Sequence, residues 1–382
     1  MAEQTTLAVK ASPPPSLPGR VAVLTPRQST RASLDILKSI LKVSSRDLRE
    51  HSRAKFEASD AGQALAQAHA APASQDAVRE RVAQAKALAE SDPIYRLERF
   101  YQRFVAEEYM ARGMIAAAEN QDRLKEIAAT PRQGAGGALR LNPSLTPPDY
   151  YADVEFHLMP GGWDGSDLYN HTGGFNSYIY RGGGFAAVPI DSNLYEQRLG
   201  AARQLPKASY GKIFEMGCGG IGTLSALNTI FPEAELYACE LSPRLASMAH
   251  DQAERAGLKA HIRQSDAAAT GEADADYDAV FTYALHHEAP VSANLEMFRE
   301  MFRILKPGGD VVLTDPPPFR AVSPFHAAVL DWDTQHREEP FFSEACLADW
   351  DQALRDVGFV DVESYALGAD GYPWITRGRK PD

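Results

Sequence analysis

The C-terminal half of this chain is predicted to adopt an α/β fold with a doubly wound, mostly parallel sheet. An N-terminal helical region and an aromatic-rich cap are predicted ahead of it. Three observations carry this prediction. From residue 205 onward, short β-branched and aromatic runs alternate with helical patterns, as in parallel sheets with crossover helices. A glycine-rich turn joins the first of these runs to the first of these helices. A length of 382 residues exceeds one ordinary core and calls for two domains or one domain with a large addition.

The elements follow in order. Residues 1–30 carry Pro13, Pro14, Pro15 and Pro18 without an apolar signal-peptide core, and are expected to be a disordered tail. Residues 31–147 form the helical region and its linker. Leu34, Leu37 and Leu41 share one helical face, as do Leu97, Phe100, Tyr101 and Phe104. Gly134, Gly136, Gly137, Pro143, Pro147 and Pro148 mark the linker. In residues 148–204 aromatic residues crowd together: Tyr150, Tyr151, Phe156, Trp163, Tyr169, Phe175, Tyr178, Tyr180, Phe185 and Tyr195. Glycine pairs and triplets interrupt them. This composition suits either the walls of a loop-rich cap or a bridge packed between two domains.

In residues 205–382, strands are predicted at 212–216, 235–240, 261–264, 277–283, 310–314, 360–365 and 373–376. Helices are predicted at 223–231, 243–257, 293–305 and 345–357, the second and fourth closed by Gly257 and Gly358. The last two strands read as an antiparallel edge. Ligands of such sheets bind at the carboxyl ends of the strands.

The sharpest motif is Glu215-Met216-Gly217-Cys218-Gly219-Gly220-Ile221-Gly222, between a strand and a helix. Glycines there let the backbone turn tightly and let a ligand come close. Glu240 ends the next strand, where a carboxylate can accept from both hydroxyls of a ribose. Asp266 follows the third strand, within reach of an adenine amino group. A tight structural turn and two solvated acids would account for each feature singly. Their succession on adjacent strand ends points to a nucleotide.

Over residues 205–365 the sequence resembles the class I S-adenosylmethionine (SAM)-dependent methyltransferases, on Glu215-x-Gly217-x-Gly219, Glu240, Asp266 and the Lys306-Pro307-Gly308-Gly309 turn. The resemblance implies a Rossmann-like methyltransferase sheet, SAM as cofactor, and a transferase activity. It further implies Glu215, Gly217 and Gly219 near the methionine end of SAM. Glu240 with Leu241 would hold the ribose, Asp266 with Ala267 the adenine, and Tyr283 would lie against the cofactor. The third glycine of the family's loop falls here at Ile221. Gly217, Gly219 and Gly222 also spell the loop of a nicotinamide-binding oxidoreductase, and a SAM-binding module without turnover would look the same.

The fourth strand runs into Tyr283-Ala284-Leu285-His286-His287-Glu288. His286 matches the position of the general base in small-molecule O-methyltransferases, with His287 as its understudy; the alternative is that both only shape the pocket. His-assisted O-methylation of a small hydroxylated molecule, aromatic or not, is the expected reaction. Asp315-Pro316-Pro317-Pro318-Phe319 resembles the clamp of amino-group methyltransferases but follows the fifth strand, and is read as a substrate-side loop. Trp163, Tyr169, Tyr178, Tyr180 and His326 are the candidate acceptor contacts. His157, Asp164, Asp167 and His171 have no metal-site spacing, so no metal is expected.

Charge narrows the partners. Residues 201–382 hold 16 Lys and Arg against 28 Asp and Glu, a net −12, whereas residues 1–200 balance at 23 of each. An acidic catalytic half argues against nucleic acid. No apolar run reaches the ~18 residues of a membrane span. Cys218, Cys239 and Cys346 are read as reduced thiols of a cytoplasmic protein. The expected partners are a small-molecule acceptor and, through the N-terminal helices, a second copy of the chain.

Overall fold

A computed structural model describes residues 26–71, 73–122, 125, 134–152, 154–165 and 194–382. Tyr169, Tyr178 and Tyr180, and likewise Asp167 and His171, lie outside the described residues.

The core is an eight-stranded sheet of β1 (Leu139–Arg140), β2 (Lys212–Met216), β3 (Glu235–Glu240), β4 (Ala260–Gln264), β5 (Tyr277–Thr282), β6 (Leu305–Asp315), β7 (Val360–Ala366) and β8 (Trp374–Arg379). Their order is β1-β4-β3-β2-β5-β6-β8-β7. The first six run parallel; β8 pairs antiparallel with both β6 and β7. The expected antiparallel edge is therefore present, with the last strand slotted inside the sheet. The chain order reverses at β2 and β5, where the two halves diverge and open a crevice. Two differences from the sequence reading concern boundaries. Leu139–Arg140, in the expected linker, adds a short edge strand beside β4. The Lys306–Gly309 stretch continues into β6, with a shift in register between Tyr277 and Ala279.

Helices cover both faces. On one lie α7 (Leu194–Ala202), α8 (Gly222–Ile230) and α9 (Pro243–Ala256), packed through Leu199, Leu224, Leu227, Ala246 and Ala249 onto Ile213, Leu236 and Phe281. On the other lies α10 (Val291–Ile304), packed through Met297, Phe298 and Met301 onto Phe214, Val280 and Val311. The strands alternate between these two cores, so both faces are apolar. Ser242 caps α9 through its hydroxyl, Pro243 takes the first turn, and Gly257 ends the helix at φ +68°.

The N-terminal region is helical, as expected: α1 (Gln28–Lys42), a wider turn at Val43–Leu48, α2 (Arg49–Ala58), α3 (Asp60–His69), α4 (Gln75–Glu90) and α5 (Pro93–Glu119). Leu34, Leu37 and Leu41 face Val105, Ala106 and Tyr109 of α5. Phe56, Val82, Ala85 and Tyr95 close onto α11 (Pro324–His336) at Phe325 and Ala328. No helix among the described residues is long and apolar enough to cross a membrane.

Between these two parts, α6 (Asp149–Ala152) and single helical turns at Phe156–Leu158 and Gly162–Asp164 run across the carboxyl ends of β3 and β4. After α11, α12 (Phe342–Leu347) and α13 (Trp350–Val357) replace the single helix expected at 345–357. Asp349 breaks it by accepting from the Gln352 amide and starting α13 afresh.

Candidate functional site

At the tip of β2 the chain enters the left-handed region twice, at Gly217 (φ +66°) and Gly219 (φ +56°). A Cβ at Gly217 would stand 2.6 Å from Leu285 Cδ1, whereas at Gly219 it would meet nothing within 4 Å. Gly217 thus admits the turn after β5, and Gly219 leaves a cradle open above the loop. The Cys218 amide donates to Cys239 O (3.1 Å), tying the loop to β3.

Glu240, at the tip of β3, is buried. Its Oε2 accepts from the Gly219 amide (2.8 Å) and its Oε1 from the Ser242 amide (3.0 Å). Burial raises its pKa, and these amides act against that shift. Asp266 follows β4 and accepts from the Ala268 amide (2.8 Å). Leu241 and Ala267 sit beside these acids, and Leu241 O accepts from Gln264 Nε2 (3.4 Å). The sequence brings Glu215, Gly217, Gly219, Glu240, Leu241, Asp266 and Ala267 to neighbouring strand tips. Tyr150 of the cap lies near Asp266, and Tyr151 near Glu240 and Asp164.

Glu215 is 1 % exposed and burial lifts its carboxyl to about 8, although Thr223 and Arg198 pull it down. Among the described residues its Oε2 has no hydrogen-bond partner. Arg198 of α7, which no sequence signal singled out, reaches over the start of α8. Its Nε donates to Thr223 Oγ1 (3.3 Å) and its guanidinium lies 4.3 Å from the Tyr283 ring. Tyr283 is itself held by the Tyr372 hydroxyl at 3.2 Å. An orphaned buried carboxyl oxygen, a guanidinium and an open cradle at Gly219 fit the amino acid tail of SAM, and Glu240 keeps lone pairs for a ribose.

The two histidines after β5 part company at Ala284, a non-glycine residue at φ +56°. His286 turns inward and is 0 % exposed. Its Nε2 bonds Thr282 Oγ1 (3.0 Å) and its Nδ1 bonds Asn294 Oδ1 (2.5 Å), with Phe298 and Trp350 around the ring. Burial depresses its pKa. Both nitrogens are committed, so His286 anchors the turn. His287 points the other way. Its Nδ1 lies 2.5 Å from Asp315 Oδ1 at the tip of β6, and Phe342 meets the ring edge-on at 5.3 Å. Burial alone would lower His287; the Asp315 carboxylate outweighs it and lifts the ring to about 9.

Beyond His287 lie residues whose spacing gave no hint of a site. His157, in the cap, places Nε2 3.1 Å from Glu288 Oε1 and Nδ1 2.8 Å from Glu339 Oε1. Trp163 stacks on Phe156 and touches the His157 ring edge-on, 5.2 Å between centroids. Its carbonyl accepts from Ser242 Oγ (3.3 Å), so it sits between His157 and the tip of β3. His326 is placed elsewhere: it sits on α11 facing Arg49, Asp370, Arg99 and Arg53, and burial brings it down to about 4.

Comparison with known proteins agrees with this geometry where it bears on family. Residues 213–309 match the family model described as a methyltransferase domain. No curated protein matches the chain. Among solved structures, a possible exported protein of Bordetella parapertussis is 21% identical over 49% of this chain and 66% of its own, with a TM-score of 0.39. PigF with S-adenosylhomocysteine (SAH) is 17% identical over 48% and 54%, with a TM-score of 0.38. Phosphoethanolamine N-methyltransferase 2 of Haemonchus contortus, solved with phosphomonomethylethanolamine and SAH, is 15% identical over 56% and 58%, with a TM-score of 0.41. The chain thus spans between about half and two thirds of these three proteins. The sequence match falls on β2 to β6, the strands whose tips carry the glycine loop, Glu240 and Asp266. Residues 213–309 of the chain thus carry a methyltransferase domain.

Proposed function

We propose that the protein transfers a methyl group from SAM to a hydroxyl of a small, partly apolar acceptor seated between the strand tips and the cap. The observation that carries this reading is the pairing of His287 with Asp315 at the tips of adjacent strands β5 and β6, beside the crevice.

Glu240 and Leu241 would hold the ribose of SAM, Asp266 and Ala267 its adenine, and Glu215 with Arg198 its charged tail. Bound there, SAM supplies a methyl group on a sulfonium centre. The chain's own task is to align the acceptor, shut out water and take a proton. Held at about 9, the His287 ring carries a proton at neutral pH, so turnover is expected to rise with pH toward that value. Once Nε2 gives up its proton, Asp315, accepting from the Nδ1–H, fixes the tautomer that leaves Nε2 as proton acceptor. Asp315 also stabilises the imidazolium formed once the ring takes the acceptor's proton, as carboxylate-held histidines do. Trp163, Phe156 and Phe342 give the site apolar walls. These walls favour an apolar or aromatic body on the acceptor.

The test uses labelled SAM and a metabolite extract, followed by identification of the labelled product. His287→Ala is expected to cut that labelling by about a hundredfold or more while SAH binding stays unchanged. Full labelling by the variant would remove His287 from this role. Absence of any labelled product from the unaltered protein, despite SAH binding, would leave a SAM-binding module without turnover.

A further inference from the structure

Three separate segments meet on the His287 side of the crevice: the cap at His157, the turn after β5 at Glu288, and the loop after α11 at Glu339. One donor atom from each, a ring nitrogen and two carboxylate oxygens, lies within 4.8 Å of the others. His157 stands 131 residues before Glu288, and Glu339 a further 51 along the chain, which is why no spacing announced them. We propose that His157, Glu288 and Glu339 form a binding site for one divalent transition-metal cation next to the acceptor.

Charge and hydrogen bonding support an ion here more than a self-sufficient ion pair. Glu288 and Glu339 each give one oxygen to His157, and Asp315 gives one to His287. Their second oxygens, Glu288 Oε2, Glu339 Oε2 and Asp315 Oδ2, are all buried without a hydrogen-bond partner among the described residues. Glu339 and Asp315 are 4 % and 5 % exposed. Three carboxylates thus face two imidazoles. The nearby Arg337 guanidinium, 3.7 Å from Asp333 Oδ2, is shared between that buried acid and Glu339, on which its charge also acts. Buried carboxyl oxygens left unpaired are costly, and a cation removes that cost.

The surroundings match those of a metal ligand set. His287 stands 3.6 Å from Glu288 Oε1 through Nε2 while Asp315 holds its Nδ1. Ligand shells are commonly buttressed by such carboxylate-held groups. Tyr109 of α5 donates to His157 O at 3.4 Å, fixing the cap residue from behind. One imidazole with two carboxylates suits Zn²⁺, Mn²⁺ or Fe²⁺ better than the all-oxygen preference of Mg²⁺ or Ca²⁺. Glu288 and Glu339 meet opposite ring nitrogens of His157, so one carboxylate would swing from its nitrogen onto the shared ion for zinc–nitrogen and zinc–oxygen bonds of ~2.0–2.2 Å to form. A cation there would attract an anionic or hydroxyl oxygen of the acceptor toward the transferring centre. That role rests on the transferase reading, whereas binding of the ion does not.

The test is calorimetric titration of chelator-stripped full-length protein with Zn²⁺ and, separately, with Mn²⁺, alongside metal content and the thermal midpoint. The expected result is one ion per chain, a raised thermal midpoint, and affinity at least tenfold weaker in Glu339→Gln and in His157→Ala. Glu339→Gln preserves shape and guards against a folding artefact in the alanine variant. SAH binding is measured on every sample. Failure of both metals to bind, or equal binding by Glu339→Gln, overturns the proposal and leaves His157 as a cation bridging two acids. Loss of SAH binding with metal binding intact would fault the transferase reading alone.

Discussion

Glu215 is the residue whose environment makes the sharpest demand. With its carboxyl at about 8, it carries a proton at neutral pH. A bound ammonium group favours the carboxylate, so binding releases that proton. Affinity for SAH is therefore expected to rise from about pH 5 to the Glu215 value of about 8 and then to level off. Glu215→Gln is expected to flatten this dependence and to weaken binding by about tenfold or more. Titrations in buffers of different ionisation heat measure the proton directly; identical profiles for the two proteins would remove Glu215 from the tail site. The histidines teach a complementary lesson. His286 and His287 are indistinguishable on the chain, and only the backbone turn at Ala284 decides which meets Asn294 and which meets Asp315. Arg198 was invisible for a similar reason, since an arginine on a surface helix is ordinarily a solvated one.

The glycine loop and its flanking strands were legible as elements because their signals are local. A strand buried on both faces is a short apolar run, and a left-handed turn needs glycine. The two glycines nevertheless do different work. Gly217→Ala is expected to cost more than the ~1–2 kcal/mol of left-handed strain, because its methyl would collide with Leu285. Gly219→Ala is expected to cost only about that strain, since nothing stands within 4 Å, yet to abolish SAH binding by filling the cradle. Denaturant midpoints and SAH titrations on the two variants separate the effects; normal SAH binding by Gly219→Ala would rule out the cradle. Helix α11 was not legible at all. Phe325, Ala327, Ala328, Val329 and Leu330 are buried in succession, so it has no polar stripe to betray a helical period. The paired α12 and α13 merged into one expected helix because the break rests on a single side-chain cap at Asp349.

At the scale of the whole molecule, the N-terminal helices and the sheet unit share one interior. Phe325 sits edge-on to Phe56 (5.5 Å) and Tyr95 (5.8 Å), one ring from the sheet side against two from the helical side. Phe325→Ala is expected to cost about 3–5 kcal/mol and to lower the midpoint of both parts together. Urea unfolding followed at once by far-UV circular dichroism and by SAH binding checks this; two separated transitions would show that the parts fold independently. The crevice was legible from sequence because its acids and glycines fall in one continuous run from β2 to β4. The His157–Glu288–Glu339 group was not, because it exists only once cap, turn and loop converge. The strand order carries a last consequence, for synthesis. Since β8 lies between β6 and β7, a nascent chain that has emerged only as far as β7 has no neighbour for it, and the long β6 presents a bare row of amides and carbonyls. Stalling the ribosome there would yield a species prone to pair with its siblings, and only the arrival of β8 closes the seam.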